Sequence, residues 1–160
     1  MIEHPIPPFC PEGAKILVLG SFPSVASREA GFYYGHPQNR FWRVLASLHG
    51  TATPSDTEEK KKLLCDMGIA LWDVIASCEI TGSADSTITK VVPNDLSTVL
   101  DKVPIERIFV NGKTAERYYN RYLCKRVGRE AASLPSTSPA NAAWSLERLV
   151  GAWRVILGVT

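Results

Sequence analysis

Lys15-Ile16-Leu17-Val18-Leu19-Gly20 is a lysine, four apolar residues in succession and a glycine. A run with no polar alternation fits a strand covered on both faces, as in the middle of a parallel sheet, and not a strand with one wet side. Three more segments repeat the pattern. Ile69-Ala70-Leu71-Trp72-Asp73-Val74-Ile75 follows a helical stretch over 56–67 that stops at Gly68, Ile105-Glu106-Arg107-Ile108-Phe109-Val110 ends at Asn111-Gly112, and Gly128 to Leu134 is the faintest. Helical patterns over 39–48, 56–67, 95–102, 113–123 and 139–157 lie between and after them. Strands alternating with helices predict an α/β fold, a three-layer α/β/α arrangement around a four-stranded parallel sheet. For the last helix, Ser138 is the expected cap, Pro139 the first helical residue, and Trp144, Leu146, Leu149, Val150, Trp153 and Ile156 the core stripe.

The chain has 160 residues, 45% hydrophobic and 21% charged, which suits a single globular domain over 1–160, with proline-rich residues 1–13 as an extended arm. The net charge of +2 selects no partner, because local distribution matters more than the total. No apolar stretch is long enough to span a membrane, and the first residues lack the basic start and apolar run of a signal peptide, so a soluble cytosolic protein with no membrane partner is expected. Cys10, Cys65, Cys78 and Cys124 contain no C-x-x-C pair and no nearby paired histidines, so neither a metal nor a cofactor is expected; Cys65 and Cys124 read as reduced core residues.

In open parallel sheets ligands bind beyond the carboxyl ends of the strands. The segments there are Gly20-Ser21-Phe22-Pro23-Ser24, Asp73 to Ser83, Asn111-Gly112-Lys113 and Leu134-Pro135-Ser136-Thr137-Ser138-Pro139, all rich in residues that build tight, hydrogen-bonding loops. Between the first two lies Gly31-Phe32-Tyr33-Tyr34-Gly35-His36-Pro37-Gln38-Asn39-Arg40-Phe41-Trp42, which holds five of the fourteen Phe, Trp and Tyr residues. Aromatic faces stack on nucleobases and side-chain amides match base edges. The same residues also suit an aromatic loop folded on the core, with Asn39 capping the next helix. Phosphate-loop, dinucleotide, nucleophile-elbow and zinc-deaminase motifs are all absent from the sequence, which removes the main support for kinase, dehydrogenase, serine-hydrolase and deaminase readings.

Taken together, Gly20-Ser21-Phe22-Pro23-Ser24, Tyr34-Gly35-His36-Pro37-Gln38-Asn39-Arg40-Phe41-Trp42, Leu71-Trp72-Asp73-Val74, Asn111-Gly112-Lys113 and Leu134 to Pro139 resemble the uracil-DNA glycosylase superfamily, and within it the hypoxanthine (deoxyinosine) DNA glycosylases. The resemblance runs from about Ile16 to Leu157. It implies a monofunctional DNA N-glycosylase that flips and hydrolytically excises deaminated bases, chiefly hypoxanthine, and works as a monomer on DNA in a bacterial or archaeal cytosol. The mismatch-specific branch carries an asparagine at the position of Phe22, so the usual first-motif catalytic residue is missing here. The resemblance gives the catalytic role to Asn39 of His36-Pro37-Gln38-Asn39. It implies base contacts from Ser21, Phe22, Pro23, Ser24, Tyr34, Gly35, Asp73 and Asn111, and DNA contacts from Leu134, Pro135, Ser136, Thr137 and Ser138, with Leu134 or Pro135 filling the gap left by the flipped base. Arg117, Arg121, Lys125, Arg126 and Arg129 form the densest basic stretch, either a further DNA surface or a solvated face. The alternatives are a mismatch-type uracil or xanthine glycosylase, a non-catalytic nucleic-acid or nucleotide-binding domain, a hydrolase of free nucleosides, and a glycosylase-lyase using Lys113.

Overall fold

The computed structural model describes residues 1–158. In chain order its elements are β1 (Ile2–Glu3), β2 (Ile16–Gly20), α1 (Val25–Ala30), α2 (Phe41–His49), α3 (Thr57–Met67), β3 (Ile69–Asp73), β4 (Ile75–Glu79), β5 (Thr89–Pro93), α4 (Ser97–Leu100), β6 (Arg107–Asn111), α5 (Lys113–Tyr118), α6 (Cys124–Val127), β7 (Ala132–Leu134) and α7 (Leu146–Trp153). Every residue of β2 and of β3 is buried. Because successive strand side chains point to opposite faces, this requires cover on both sides of the sheet, which the helices supply as two outer layers. The sheet has four parallel strands in the order β3-β2-β6-β7, with Ile16 beside both Ile69 and Arg107, and Asn111 beside Leu134. The four strands are the expected ones, although the last is only three residues long.

The apolar run 69–75 does not form one strand. It breaks between β3 and β4 because the amides of Val74 and Ile75 turn to the carbonyls of Gly20 and Ser21. The chain then leaves the parallel sheet and builds a second, antiparallel one in the order β1-β4-β5. Its strands are short and its second hairpin arm is irregular in register, so no clean alternation announces it. The N-terminal arm touches both sheets. Ile2 and Glu3 pair with β4, the His4 amide bonds the Ala76 carbonyl, and Phe9 exchanges backbone bonds with Leu71.

Asp56 caps α3 by accepting from the Glu59 amide, and Gly68 ends it in the left-handed region that favours glycine. The helix expected over 113–123 is interrupted by a π-helical turn over 119–123, which leads into α6. The final helix starts at Leu146, capped by Ser145, and not at Pro139 behind Ser138. Residues 138–145 stay as turns because the Arg40 guanidinium takes the carbonyls of Ser138, Asn141 and Trp144, the acceptors that an earlier helix would need. Of the proposed stripe, Leu149, Trp153 and Ile156 are fully buried, but Leu146 is exposed. Cys65 is exposed and Cys124 only partly buried; the buried cysteine is Cys78 on β4. None of the four forms a disulfide.

Candidate active site

Parallel pairing brings the carboxyl ends of β2, β3 and β6 side by side, so Gly20, Asp73 and Asn111 form the floor of one cleft of about 540 Å³. Its size lies within the range usual for small-molecule and base pockets. Ser21 to Ser24 form one wall, the loop from Ser83 to Ser86 another, and Tyr33, Tyr34, His36, Asn39 and residues 136–140 close the rest. Of this wall only Ser83 falls in a segment that the sequence marks. It is tied to α1, where the Val25 amide donates to the Ser83 hydroxyl and Arg28 donates to the Gly82 carbonyl. It brings Asp85 near Ser21 (3.5 Å), and loss of water there raises the Asp85 carboxyl above its usual range, against hydrogen bonds from Thr114 and Ser21.

The polar floor has a direction fixed by two backbone amides. The Phe41 N–H lies 2.9 Å from one end of the Asn39 side chain, so that atom is the oxygen, Oδ1. The Thr137 N–H lies 3.1 Å from Asn111 Oδ1, which leaves Asn111 Nδ2 to donate to Thr137 Oγ1 at 3.0 Å. The Thr137 hydroxyl must then donate onward to Asn39 Oδ1, at 2.8 Å. Both lone pairs of Asn39 Oδ1 are therefore in use, and what Asn39 offers to the cleft is its Nδ2 donor. The oxygen of Asn39 thus holds the chain just before α2, whose N-cap position is Arg40, while the residue also lines the cleft.

Tyr34 holds a backbone φ of 53°, uncommon for a bulky residue and a sign that its neighbours force it there. It stacks on Phe41 at 4.0 Å and 19°, so one face is covered and the other side borders the cleft. Its hydroxyl is buried without a hydrogen-bond partner. Burial and then the Asp73 charge push the phenol above its ordinary range, with the Asn111 side chain pulling the other way, so Tyr34 is a hydroxyl donor and not a base. Phe22 is buried and forms an apolar wall, edge-on to His4 at 5.8 Å and under the Arg28 guanidinium at 5.6 Å.

Asp73 is 3% exposed. Its Oδ2 accepts a hydrogen bond from His4 Nε2 at 2.7 Å, a partner on the N-terminal arm that sequence reading missed because nothing local marks His4. Oδ1 lies over the Gly20 α-carbon, only 2.4 Å from where a β-carbon would stand, with the Tyr34 hydroxyl 3.2 Å from the same point.

Three of the expected contact residues have side chains or backbone engaged within the protein. Gly35 does not line the cleft; its amide donates to Ser27 Oγ and its α-carbon is pressed against the Ala26 and Ser27 backbone of α1. Leu134, 4% exposed at the end of β7, is packed in the core. Thr137, fully buried, is spent on the two asparagines and presents no hydroxyl to a phosphate. Leu134→Ala is expected to lower stability by about 2–5 kcal/mol, as for other buried leucines. Thermal unfolding checks this, and the residual activity of the folded fraction should be the same on single and double strands. Pro135 is half-buried beside the cleft, its carbonyl accepting from Trp153 Nε1 at 2.9 Å, while Ser136 and Ser138 stay on the rim. Along the basic stretch, Arg117 and Arg121 lie over the rings of Tyr118 and Tyr122, and Arg129 donates to the Glu106 carbonyl.

Residues 7–156 match the family model described as the uracil DNA glycosylase superfamily. The chain belongs to that superfamily. A protein of Methanosarcina acetivorans named hypoxanthine DNA glycosylase is 38% identical over 150 residues, 92% of this chain and 94% of the relative. One of the same name from Methanosarcina barkeri is 34% identical over 143 residues, 88% and 89% of the two chains. The solution NMR structure of a candidate uracil DNA glycosylase from Methanosarcina acetivorans superposes with a TM-score of 0.80 at 35% identity, covering 98% of this chain and 99% of that one. The fold and the family membership thus place the chain among the DNA N-glycosylases. The matched segment begins three residues after His4. Among the described residues no cluster of metal-ligating side chains occurs, and no helix is long and apolar enough to cross a membrane.

Proposed function

We propose that the glycosylase excises deaminated bases, hypoxanthine before uracil, from DNA and leaves an abasic site, acting as a monomer in the cytosol. The observation that carries this reading is the pairing of one fixed acceptor, Asp73 Oδ1, with one fixed donor, Asn39 Nδ2, in a cleft walled by Phe22. Deamination turns the acceptor nitrogen N1 of adenine into an N–H and its amino group into a carbonyl. An acceptor held at the floor favours the lactam and leaves adenine with a mismatched edge. A flat apolar wall in place of the polar first-motif residue suits a two-ring purine better than a pyrimidine.

The target nucleotide leaves the duplex to reach this floor, at a cost of about a few kcal/mol that a poorly pairing base lowers. Tyr34, backed by Phe41, borders the bound base, and its free hydroxyl and the amides of Ser21 to Ser24 are donors for the base as it leaves with developing negative charge. Asn39 Nδ2 donates either to that base or to the oxygen of the attacking water; its used oxygen gives it no role as a base. Lys113 is exposed and stands outside the cleft lining, which supports hydrolysis over a lyase reaction. Ser136 and Ser138 contact the DNA backbone, and Pro135 rather than Leu134 is the rigid residue beside the gap.

Duplexes carrying hypoxanthine, xanthine or uracil, incubated with the enzyme and then cleaved at abasic sites by alkali, test the reading. Hypoxanthine is expected to be released fastest, and faster uracil release from matched duplexes contradicts it. Duplex affinity is expected to fall steeply with salt, because phosphate contacts release counterions; affinity indifferent to salt favours a free-nucleoside hydrolase.

A further inference from the structure

His4 does more than pin the arm. Its side chain is 4% exposed, and its partner carboxylate 5%. A buried polar pair joining residues 69 positions apart is built only if the arm is already laid down, which the backbone bonds of His4 to Ala76 in the second sheet and of Phe9 to Leu71 in the parallel sheet secure. The Tyr33 hydroxyl adds a further tie by donating to the Pro7 carbonyl at 2.8 Å. The ring itself is directed. Its Nδ1 lies 3.2 Å from the Ile6 amide, an obligate donor, so Nδ1 is the acceptor and the ring proton sits on Nε2, facing Asp73 Oδ2. The Phe22 ring, itself a wall of the cleft, meets the imidazole in a T-shaped contact. With Oδ2 occupied, Asp73 turns one oxygen, Oδ1, to the cleft floor.

We propose that His4 is a positioning residue that sets base selectivity: by donating to Oδ2 it fixes Asp73 as a single acceptor aimed at the lactam N–H of the flipped base. This rests on the reading of the cleft as a base pocket. Without the donor, the carboxyl group is free to rotate about its last bond and the fixed acceptor that mismatches adenine N1 is lost, so the discrimination against undamaged adenine weakens along with the alignment of the correct base.

The test compares His4→Ala and His4→Gln with the unaltered enzyme. Gln carries an amide N–H at about the reach of Nε2. Single-turnover release is measured on otherwise identical duplexes containing hypoxanthine or adenine, with duplex affinity and thermal unfolding recorded for each variant. For His4→Ala, hypoxanthine release is expected to fall roughly tenfold or more, as for misplacement of a group in contact with the reacting base. The hypoxanthine-to-adenine ratio should fall with it, while duplex affinity is nearly unchanged. His4→Gln is expected to recover most of both. A folded His4→Ala enzyme with unaltered rate and ratio overturns the proposal. So does an equal loss in both variants with the ratio unaltered, since that pattern belongs to an arm merely detached. If the unaltered enzyme releases no hypoxanthine, the base-pocket reading itself fails, and the positioning role falls with it.

Discussion

Replacing Asn39 by alanine is expected to lower single-turnover base release by about a hundredfold or more, the usual scale for removing one preorganised donor. Loss of its bond to the Phe41 amide should cost about 1 kcal/mol of stability, a typical capping effect. The more telling variant is Asn39→Asp. It keeps an oxygen for the Phe41 amide and the Thr137 hydroxyl, so the fold at the start of α2 is retained. It also replaces the N–H that faces the cleft by a second oxygen. Since the donor is what the geometry leaves free, aspartate is expected to fail as alanine does, although its unfolding midpoint stays near that of the unaltered protein. Retained or improved turnover in Asn39→Asp would assign the residue to water activation and contradict the hydrogen-bond direction derived from the two backbone amides.

Gly20→Ala is expected to disable the enzyme almost as fully. A β-carbon at this position stands 2.4 Å from Asp73 Oδ1 and 3.2 Å from the Tyr34 hydroxyl. The first distance is well inside contact, so Asp73 must move; its other oxygen is tied to His4, and the two side chains shift together. Displacement of a positioning group by about 1 Å can cost about a hundredfold in rate, and crowding in packed surroundings costs about 1–3 kcal/mol. Single-turnover assays and thermal unfolding of Gly20→Ala separate the two effects. A variant that melts earlier but keeps its rate would show that Asp73 can be moved without consequence.

The parallel sheet was legible because continuous burial leaves a signature within five residues, and the strand-end rule then located Gly20, Asp73 and Asn111 without any contact information. What stayed hidden depends on pairs far apart in sequence. His4 meets Asp73 across 69 positions and Arg40 reaches the Trp144 carbonyl across 104, and neither leaves a local pattern. The delayed start of α7 follows from the second of these, since Ser138-Pro139 is a sound helix start until a distant guanidinium claims its carbonyls. Leu134 shows the converse case. A resemblance places it among the DNA contacts, but only the register of β7 against Asn111 shows that its side chain is buried in the core. The wall over 83–86 was lost for the same reason as the second sheet, which is built from short strands without a buried face of regular period.

The central claim is that this cleft breaks an N-glycosidic bond and does not merely hold DNA. Chromatographic detection of the free base after single turnover on a deoxyinosine duplex tests it most directly, with abasic sites counted in the same sample. Free hypoxanthine and abasic sites are expected in a one-to-one ratio, both lost in Asn39→Ala. Tight, salt-sensitive binding of the same duplex by folded protein with no hypoxanthine released would contradict it and leave a nucleic-acid-binding domain on a glycosylase fold.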